Sequence, residues 1–450
     1  MKKNRFLMCL FSATLAISAC SYKSPLFSKG KIEQTNPYII DKNKLYGVCD
    51  MSFEEYDWRS APEKIDYHQS HLLMKSLGAT SVRFWTHFYY FMENPTTLKD
   101  FYKYRTLISM YNDLIRTNPG ITVIGMNHSS YLDGTMAQSK KPRRDLTPNS
   151  TYMRWLEDYE QSWYNLVRIF PDINYWEIDN EINNGDFMRP NDDGDAFTID
   201  EKAKISADML YFASRGIHHA NKNAKTISGG IIVFAYSQPE LFTEKLYDEI
   251  ANNTWGTTNP DDFFQIYGVH PYINIGATTF SKSTFKNTMN SIYDVVYEKE
   301  GKDKPVYCTE VGFNDYYYNP NTSSYSGEST SGDFIREMYE AAYELPYIES
   351  LCYYKMYDNE KSNYNRYGLF RDPINLRSYD KTVDGGLEAS FVAPPLASPK
   401  PGAFEFQTIA GGIGDLYSYS KYIKYSCWIK MAKHLSSWFW LELLIEKCFC

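Results

Sequence analysis

Clustered positive charge is missing from this 450-residue chain. Its 47 lysines and arginines are outnumbered by 55 aspartates and glutamates, the formal net charge is −8, and no basic stripe marks any segment. Binding to a phosphate backbone needs grouped Lys and Arg, so nucleic acid is not an expected partner. Long apolar runs are missing too. Phe6–Ala19 is too short to span a bilayer comfortably, and Ser437–Glu446 is short and broken by Glu442 and Glu446. Cysteine is sparse, with eight residues, and none shows the paired Cys-x-x-Cys spacing of a zinc site; Cys448-Phe449-Cys450 is too tight for half of one. Cys49, Cys308 and Cys352 fall in strand-like runs, where a small buried hydrophobe is the expected role. Asp192-Asp193-Gly194-Asp195 lacks the ligand spacing of a calcium loop and reads as a solvated turn. No internal repeat stands out.

What is present begins with the leader. Lys2, Lys3 and Arg5 precede an apolar stretch, Phe6 to Ala16, and Ile17-Ser18-Ala19-Cys20 sets small residues before a cysteine. This resembles a bacterial lipoprotein signal. The expectation is that residues 1–19 are removed, that Cys20 carries the lipid, and that the polar segment 20–43, with Pro25 and Pro37, is a tether. The protein would then sit in the cell envelope, anchored to a bacterial membrane in the periplasm or at the cell surface. Removing the leader takes three positive charges with it, making the mature chain more acidic.

From residue 44 the chain alternates. Strand-like apolar runs fall at 45–49, 79–85, 121–127, 174–180, 224–233, 263–271, 305–311 and 348–357. Helix-like segments fall near 62–77, 98–117, 150–169, 201–221, 239–252, 283–299 and 331–345, several opened by a capping or proline signal such as Pro62, Asn149-Ser150 or Asp200. Eight strands separated by seven helices predict a parallel α/β architecture, and the count of eight favours a closed (β/α)8 TIM barrel over an open sheet. A further helix is expected after Pro401. The single barrel domain therefore covers 44–410, with a Pro- and Gly-rich connection at 371–400 and a C-terminal tail, 411–450, of different character. Hydrophobic residues at 43% supply a core, and the aromatic share of 17%, mostly from 40 tyrosines, is high. Tyrosine joins a flat apolar face to a hydroxyl, which suits a sugar ring as well as a plain core and rim.

Two strand-like runs end in glutamate: Tyr175-Trp-Glu-Ile-Asp179 leads into Asn180-Glu181, and Pro305-Val-Tyr-Cys-Thr309 into Glu310. Two carboxylates at two strand ends are what acid–base and nucleophilic work on a glycosidic bond requires. Period-two alternation predicts which residues face the barrel interior. It sets Arg83 with Ser81 and Trp85, groups Gly268, His270 and Tyr272, groups Val306, Cys308 and Glu310, and groups Glu177, Asp179 and Glu181 with Asn180 at the mouth. All the polar members lie toward the C-terminal strand ends, where barrel enzymes keep their sites. Glu177 and Asp179 are expected as buried partners of cations rather than as catalysts. Trp85 and His87 either line a sugar site or cover the barrel, alternation leaves open whether Asn127 or His128 faces in, and the tyrosine-rich loop 315–325 is expected to wall the cleft.

These positions resemble clan A of the glycoside hydrolases. Asn180-Glu181 matches the end of the clan's strand four, Thr309-Glu310-Val-Gly-Phe313 its strand seven, Arg83 its strand-two arginine, and His270-Pro271-Tyr272 the His-x-Tyr after strand six. Tyr367-Gly-Leu-Phe370 looks most like families 39 and 5. The resemblance covers roughly residues 44–410. It implies a retaining β-glycosidase with Glu181 as acid/base and Glu310 as nucleophile. Arg83, Asn180, His270, Tyr272, Trp85 and His128 would bind substrate or order the site. One departure stands out: the clan's strand eight usually ends in tryptophan, and here Tyr354 takes that place. Xylan, glucan, mannan or a microbial exopolysaccharide fit the resemblance equally, as do endo and exo action. The chemistry needs no cofactor, and no dedicated carbohydrate-binding module is expected. A non-catalytic glycan-binding surface lipoprotein on the same scaffold is the alternative. Oligomeric state is left open.

Overall fold

The computed structural model describes residues 40–50, 67–99, 101–234, 237–273, 280–315, 318–319, 324–325, 327–358, 366–371 and 399–416. The leader, Cys20, nearly all of the tether, most of the 371–400 connection and most of the tail lie outside the described residues, as does much of the 315–325 loop.

Eight parallel strands close into a barrel: β1 (Leu45–Asp50), β2 (Ser81–Trp85), β3 (Thr122–Asn127), β4 (Tyr175–Asn180), β5 (Lys225–Ile232), β6 (Tyr267–His270), β7 (Val306–Val311) and β8 (Ile348–Tyr353). Val48 of β1 registers with Val82 of β2 on one side and Tyr353 of β8 on the other, which closes the ring. Between successive strands run α1 (Tyr67–Leu77), α2 (Phe101–Thr117), α3 (Thr151–Ile169), α4 (Ile199–Ala220), α5 (Pro239–Ala251), α6 (Lys282–Glu300) and α7 (Ser331–Tyr343), and α8 (Pro401–Ala410) follows β8. The chain is therefore a (β/α)8 TIM barrel, as the alternation predicts.

Local sequence sets the helix limits. In α3 the buried residues Tyr152, Trp155, Leu156, Tyr159, Trp163 and Leu166 recur at helical spacing, and the Ser150 hydroxyl accepts the Met153 N–H at the N-terminus. Thr198 and Glu201 form a reciprocal capping box on α4. Gly301 and Gly411, at φ 65° and 75°, end α6 and α8 in the left-handed region. Between barrel and helices, Val82, Phe84, Trp176, Ile178, Val269, Val306 and Cys308 join helix residues in one apolar layer. Each large side chain buried there contributes about 1.5–3 kcal/mol. Inside the barrel, Cys49, Ile124, Ile227, Ile266, Tyr307 and Cys352 fill the lower half, with Tyr175 and Tyr307 stacked at 5.7 Å.

Two strands depart from strict alternation, and both departures bear on the site. On β7, Val306 and Cys308 face outward while Tyr307 and Thr309 face the interior, the reverse of the expected grouping with Glu310. The β7–β8 register shifts between Cys308 and Val311, so that Glu310 turns inward alongside Thr309. On β4, Asp179 and Glu181 adopt φ of 70° and 45°. The pleat is therefore lost at the strand end: Glu177 and Glu181 both reach His270 in the interior, and Asp179 pairs with Lys141.

Small elements shape the C-terminal mouth. A one-turn helix, Phe88–Phe91, and a short hairpin, Met92–Asn94 with Thr97–Leu98, follow β2, and a second hairpin, Ser130–Leu132 with Thr135–Ala137, follows β3. Lys140–Lys141 pairs with Arg189–Pro190, tying the loops after β3 and β4 together. A buried ion cluster closes the far side. Lys400 donates to Asp315 and to Asp358 at 2.7 Å each, Arg366 pairs with Asp315 at 2.9 Å, and the Gly368 N–H donates to Asp358. At the opposite, N-terminal end of the barrel lies a cavity of about 330 Å³, lined in part by Tyr175, Tyr307, Lys225 and Lys304. It is remote from the glutamates at the strand ends, and Lys304 there is paired with Glu300 and Asp261.

Candidate active site

Arg83 is the hub. It is fully buried, and its Nε and Nη2 donate to the two oxygens of Glu177 at 2.6 and 3.1 Å. Its Nη1 donates to Glu310 Oε2 at 2.5 Å, and Nη2 also reaches Asn180 Oδ1 at 2.7 Å. Burial works against the cation, but the Glu177 and Glu310 charges outweigh it and hold the guanidinium above its ordinary range. Burial pushes Glu177 up, yet Arg83 and the hydrogen bond from His270 bring it down to about 2. Glu177 is thus a permanent anion, completely buried, whose role is to orient Arg83. Glu181 and Glu310 differ from it in keeping 7% and 8% exposure, enough to meet a ligand.

Glu310 sits between two donors. Opposite Arg83, the Tyr272 hydroxyl donates to Oε1 at 2.6 Å. Burial and then the Glu310 charge raise the Tyr272 phenol well above its usual range, so it stays a donor. Glu181 is held by two others: Asn184 Nδ2 donates to its Oε2 at 2.7 Å, and His270 Nδ1 lies 3.2 Å from its Oε1. The opposite ring nitrogen, Nε2, lies 3.1 Å from Thr309 Oγ1. Burial pulls the His270 imidazole down, while the Glu310 charge and the bonds to Glu177 and Glu181 push it up to about 9. Gly230 makes this packing possible, because a Cβ there would lie 2.1 Å from His270 Nε2; its N–H also donates to Glu177.

Single oxygens of Glu181 and Glu310 and a ring nitrogen of His270 all lie within 4.8 Å of one another. These three are the one group of metal-ligating type among the described residues. Their ligand atoms are already engaged, however: Glu310 by Arg83 and Tyr272, Glu181 by Asn184, and His270 by Glu181 and Thr309 at its two nitrogens. Asp179 and Glu181 flank Asn180 in left-handed conformations that cost on the order of 1–3 kcal/mol each. Asp179 is anchored by the buried Lys141 at 2.8 Å, and its own Oδ1 accepts the Asn180 N–H. Asn180 is thereby fixed between Arg83 and the mouth.

Trp85 and His128 meet edge to face at 5.5 Å, with His87 against both at 4.9 and 4.2 Å. Trp85 is half-buried. Its Nε1 and His128 Nδ1 are enclosed without a hydrogen-bond partner among the described residues. Burial and then Arg83 bring His87 down to about 3, and burial with His87, Lys141 and Arg83 lowers His128, so both rings are neutral. Asn127 ties the loop, its Oδ1 accepting from the Phe88 N–H and the Ser129 hydroxyl. Tyr354 follows β8, and its ring meets Tyr367 at 5.6 Å; Tyr367 in turn meets Tyr272 at 6.2 Å. Every candidate named from sequence, Cys20 aside, therefore lies at this mouth. Sequence reasoning did not single out Asn184, Gly230, Lys141 or Tyr367 as site residues, nor Thr309 beyond its place beside Glu310. Asp192, in the acidic loop, is taken by Arg143 at 2.8 Å, as a solvated turn requires.

No protein-family model matches the chain, and no curated protein matches it in sequence. Solved structures do. A family 39 glycoside hydrolase from the gut symbiont Bacteroides cellulosilyticus WH2 matches at a TM-score of 0.52 and 15% identity, covering 83% of this chain and 65% of that one. The chain thus spans just under two thirds of that enzyme's length. A glucosidase from Croceicoccus marinus matches at a TM-score of 0.49 and 14% identity, over 82% of this chain and 67% of that one. A GH2 β-galacturonidase from Eisenbergiella tayi matches at 0.47 and 14%, over 83% and 51%. All three are glycoside hydrolases, and at 15% identity the likeness to the family 39 enzyme speaks to the barrel fold alone.

Proposed function

We propose that the chain is a retaining β-glycoside hydrolase that cleaves a β-linked oligosaccharide or polysaccharide by double displacement, with Glu310 as nucleophile and Glu181 as acid/base. One observation carries this reading. Glu310 is gripped by Arg83 and Tyr272 while a Glu181 oxygen stands within 4.8 Å of one of its own. A nearest-oxygen spacing of that order is closer to the ~5 Å of retaining enzymes than to the ~6.5–9.5 Å of inverting ones. Glu310, held by these two donors, attacks the anomeric carbon. Glu181 protonates the departing oxygen. Once Glu310 is esterified, Glu181 accepts a proton from the incoming water. Asn180, fixed by Arg83, is placed to meet the sugar 2-hydroxyl. Trp85, His128 and Tyr354 supply the apolar and aromatic wall. The leader and Cys20 support attachment to the cell envelope by lipid.

A hydrolysis screen against β-linked polysaccharides and aryl β-glycosides, with Glu310→Ala as blank, tests the reading. Cleavage by the wild type alone is expected. A folded wild type that binds glycans and cleaves none would replace it with the binding-protein alternative.

A further inference from the structure

Lys141 comes from the loop after β3, yet its side chain is fully buried at the end of β4. Its Nζ donates to Asp179 Oδ2 at 2.8 Å and to the Gln138 carbonyl at 3.2 Å. The backbone around it is joined to the loop after β4. The Arg189 N–H donates to the Ser139 carbonyl at 2.9 Å, and the Asn191 N–H to the Lys141 carbonyl at 3.0 Å. The chain leaving β4 therefore holds the Lys141 backbone, and the Lys141 side chain reaches back to hold the end of β4. Asp179 passes that hold on. Its Oδ1 accepts the Asn180 N–H at 2.7 Å while its Oδ2 is on Lys141, so the carboxylate ties the left-handed turn at φ 70°. A short polar side chain that bonds locally is what lets Asp occupy that region.

The next residue in the chain is the one that turn presents. Arg83 offers only donors, so the amide oxygen of Asn180 is the atom that faces it, 2.7 Å from Nη2. The amide nitrogen, Nδ2, is left over. It makes no hydrogen bond among the described residues and is not enclosed. We propose that Lys141 is a positioning residue for Asn180: acting through Asp179, it holds the left-handed turn that presents the Asn180 amide nitrogen to the sugar 2-hydroxyl. The inference rests on the glycosidase reading above. Glu181, on the far side of Asn180, has holds of its own in Asn184 and His270. Lys141 therefore acts on the 2-hydroxyl contact and not on the acid.

The test uses the intact protein and two 4-nitrophenyl β-glycosides, one of the sugar that the wild type cleaves and one of its 2-deoxy counterpart. The leaving group is shared, so any disturbance of Glu181 touches both alike and cancels in the ratio of their kcat/KM values. The wild type is expected to favour the parent glycoside, because bonds to the 2-hydroxyl strengthen in the transition state. Lys141→Met, which removes the ammonium, is expected to cut that preference about tenfold or more. Burial already raises the Asp179 carboxyl, and this variant leaves it without a counter-ion. A second variant, Lys141→Met with Asp179→Asn, removes both charges together and is expected to show the same fall. A preference within about twofold of the wild type in either folded variant would overturn the inference and leave Lys141 as a counter-ion only. A wild type with no preference for the parent glycoside would remove the Asn180 contact, and the inference with it. A wild type inactive on every aryl β-glycoside would remove the glycosidase reading itself.

Discussion

At the scale of single residues, the site is a chain of charges in which each group fixes the next. Glu177 orients Arg83, Arg83 grips Glu310, and His270 bridges Glu177 and Glu181. Glu177→Ala would leave the buried Arg83 half-compensated, and a loss of about 3–5 kcal/mol is expected by chemical denaturation. The pH dependence follows from two shifts. Glu177, held near 2, contributes stability that is full above the ~4.3 of an unfolded glutamate and is lost as pH falls through 2. His270, held near 9, contributes stability that is full below the ~6.5 of an unfolded histidine and is lost as pH rises through 9. Both contributions are complete between roughly pH 4.3 and 6.5. Denaturation against pH should lose its acid limb in Glu177→Gln and its alkaline limb in His270→Asn. Gly230→Ala forces a methyl against His270 and is expected to cost about 1–3 kcal/mol. The glutamates, Arg83 and the His-x-Tyr pair were legible because charge and aromaticity stand out in apolar runs. Gly230, Thr309 and Asn184 were not, since their roles arise only from contacts across strands.

At the scale of elements, apolar period and capping residues located the strands and helices well, because the barrel strands are buried on both faces and the helices on one. α3 and α7 match their sequence ranges within two residues. Inner and outer faces were read less well. Strict alternation assumes an unbroken pleat, and the pleat breaks at the candidate site: at the β7 register shift beside Glu310 and at the left-handed Asp179 and Glu181. The hairpins after β2 and β3 went unread because elements of two or three residues carry no period. The Asp315–Lys400–Asp358 cluster joins the ends of β7 and β8 to the start of α8. Burial raises Asp358 to about 6 despite Lys400, so the folded state binds its proton more tightly than the unfolded chain does. Stability should therefore rise as pH falls from about 6 toward about 4. Asp358→Asn is expected to abolish that slope in thermal denaturation at fixed salt; an unchanged slope would assign it elsewhere.

At the scale of the whole molecule, the eightfold alternation favoured a closed barrel over an open sheet, and the closed barrel is observed. The leader adds a separate expectation: Cys20→Ala should move the protein from the membrane fraction to the soluble one in a bacterial host that lipidates such signals, and membrane retention would contradict the anchor. Which sugar the proposed activity would take depends on loops, and loops carry neither period nor obligatory charge; the sequence is accordingly silent there. The central claim is that Glu310 attacks and Glu181 assists, on opposite faces of one bond. The most direct measurement is the anomeric configuration of the glycosyl azide formed by each alanine variant with added azide on an activated aryl β-glycoside. Glu310→Ala should yield the inverted α-azide, because azide enters the vacated nucleophile face. Glu181→Ala should yield the retained β-azide through the intact Glu310 ester. The same azide anomer from both variants would contradict the assignment.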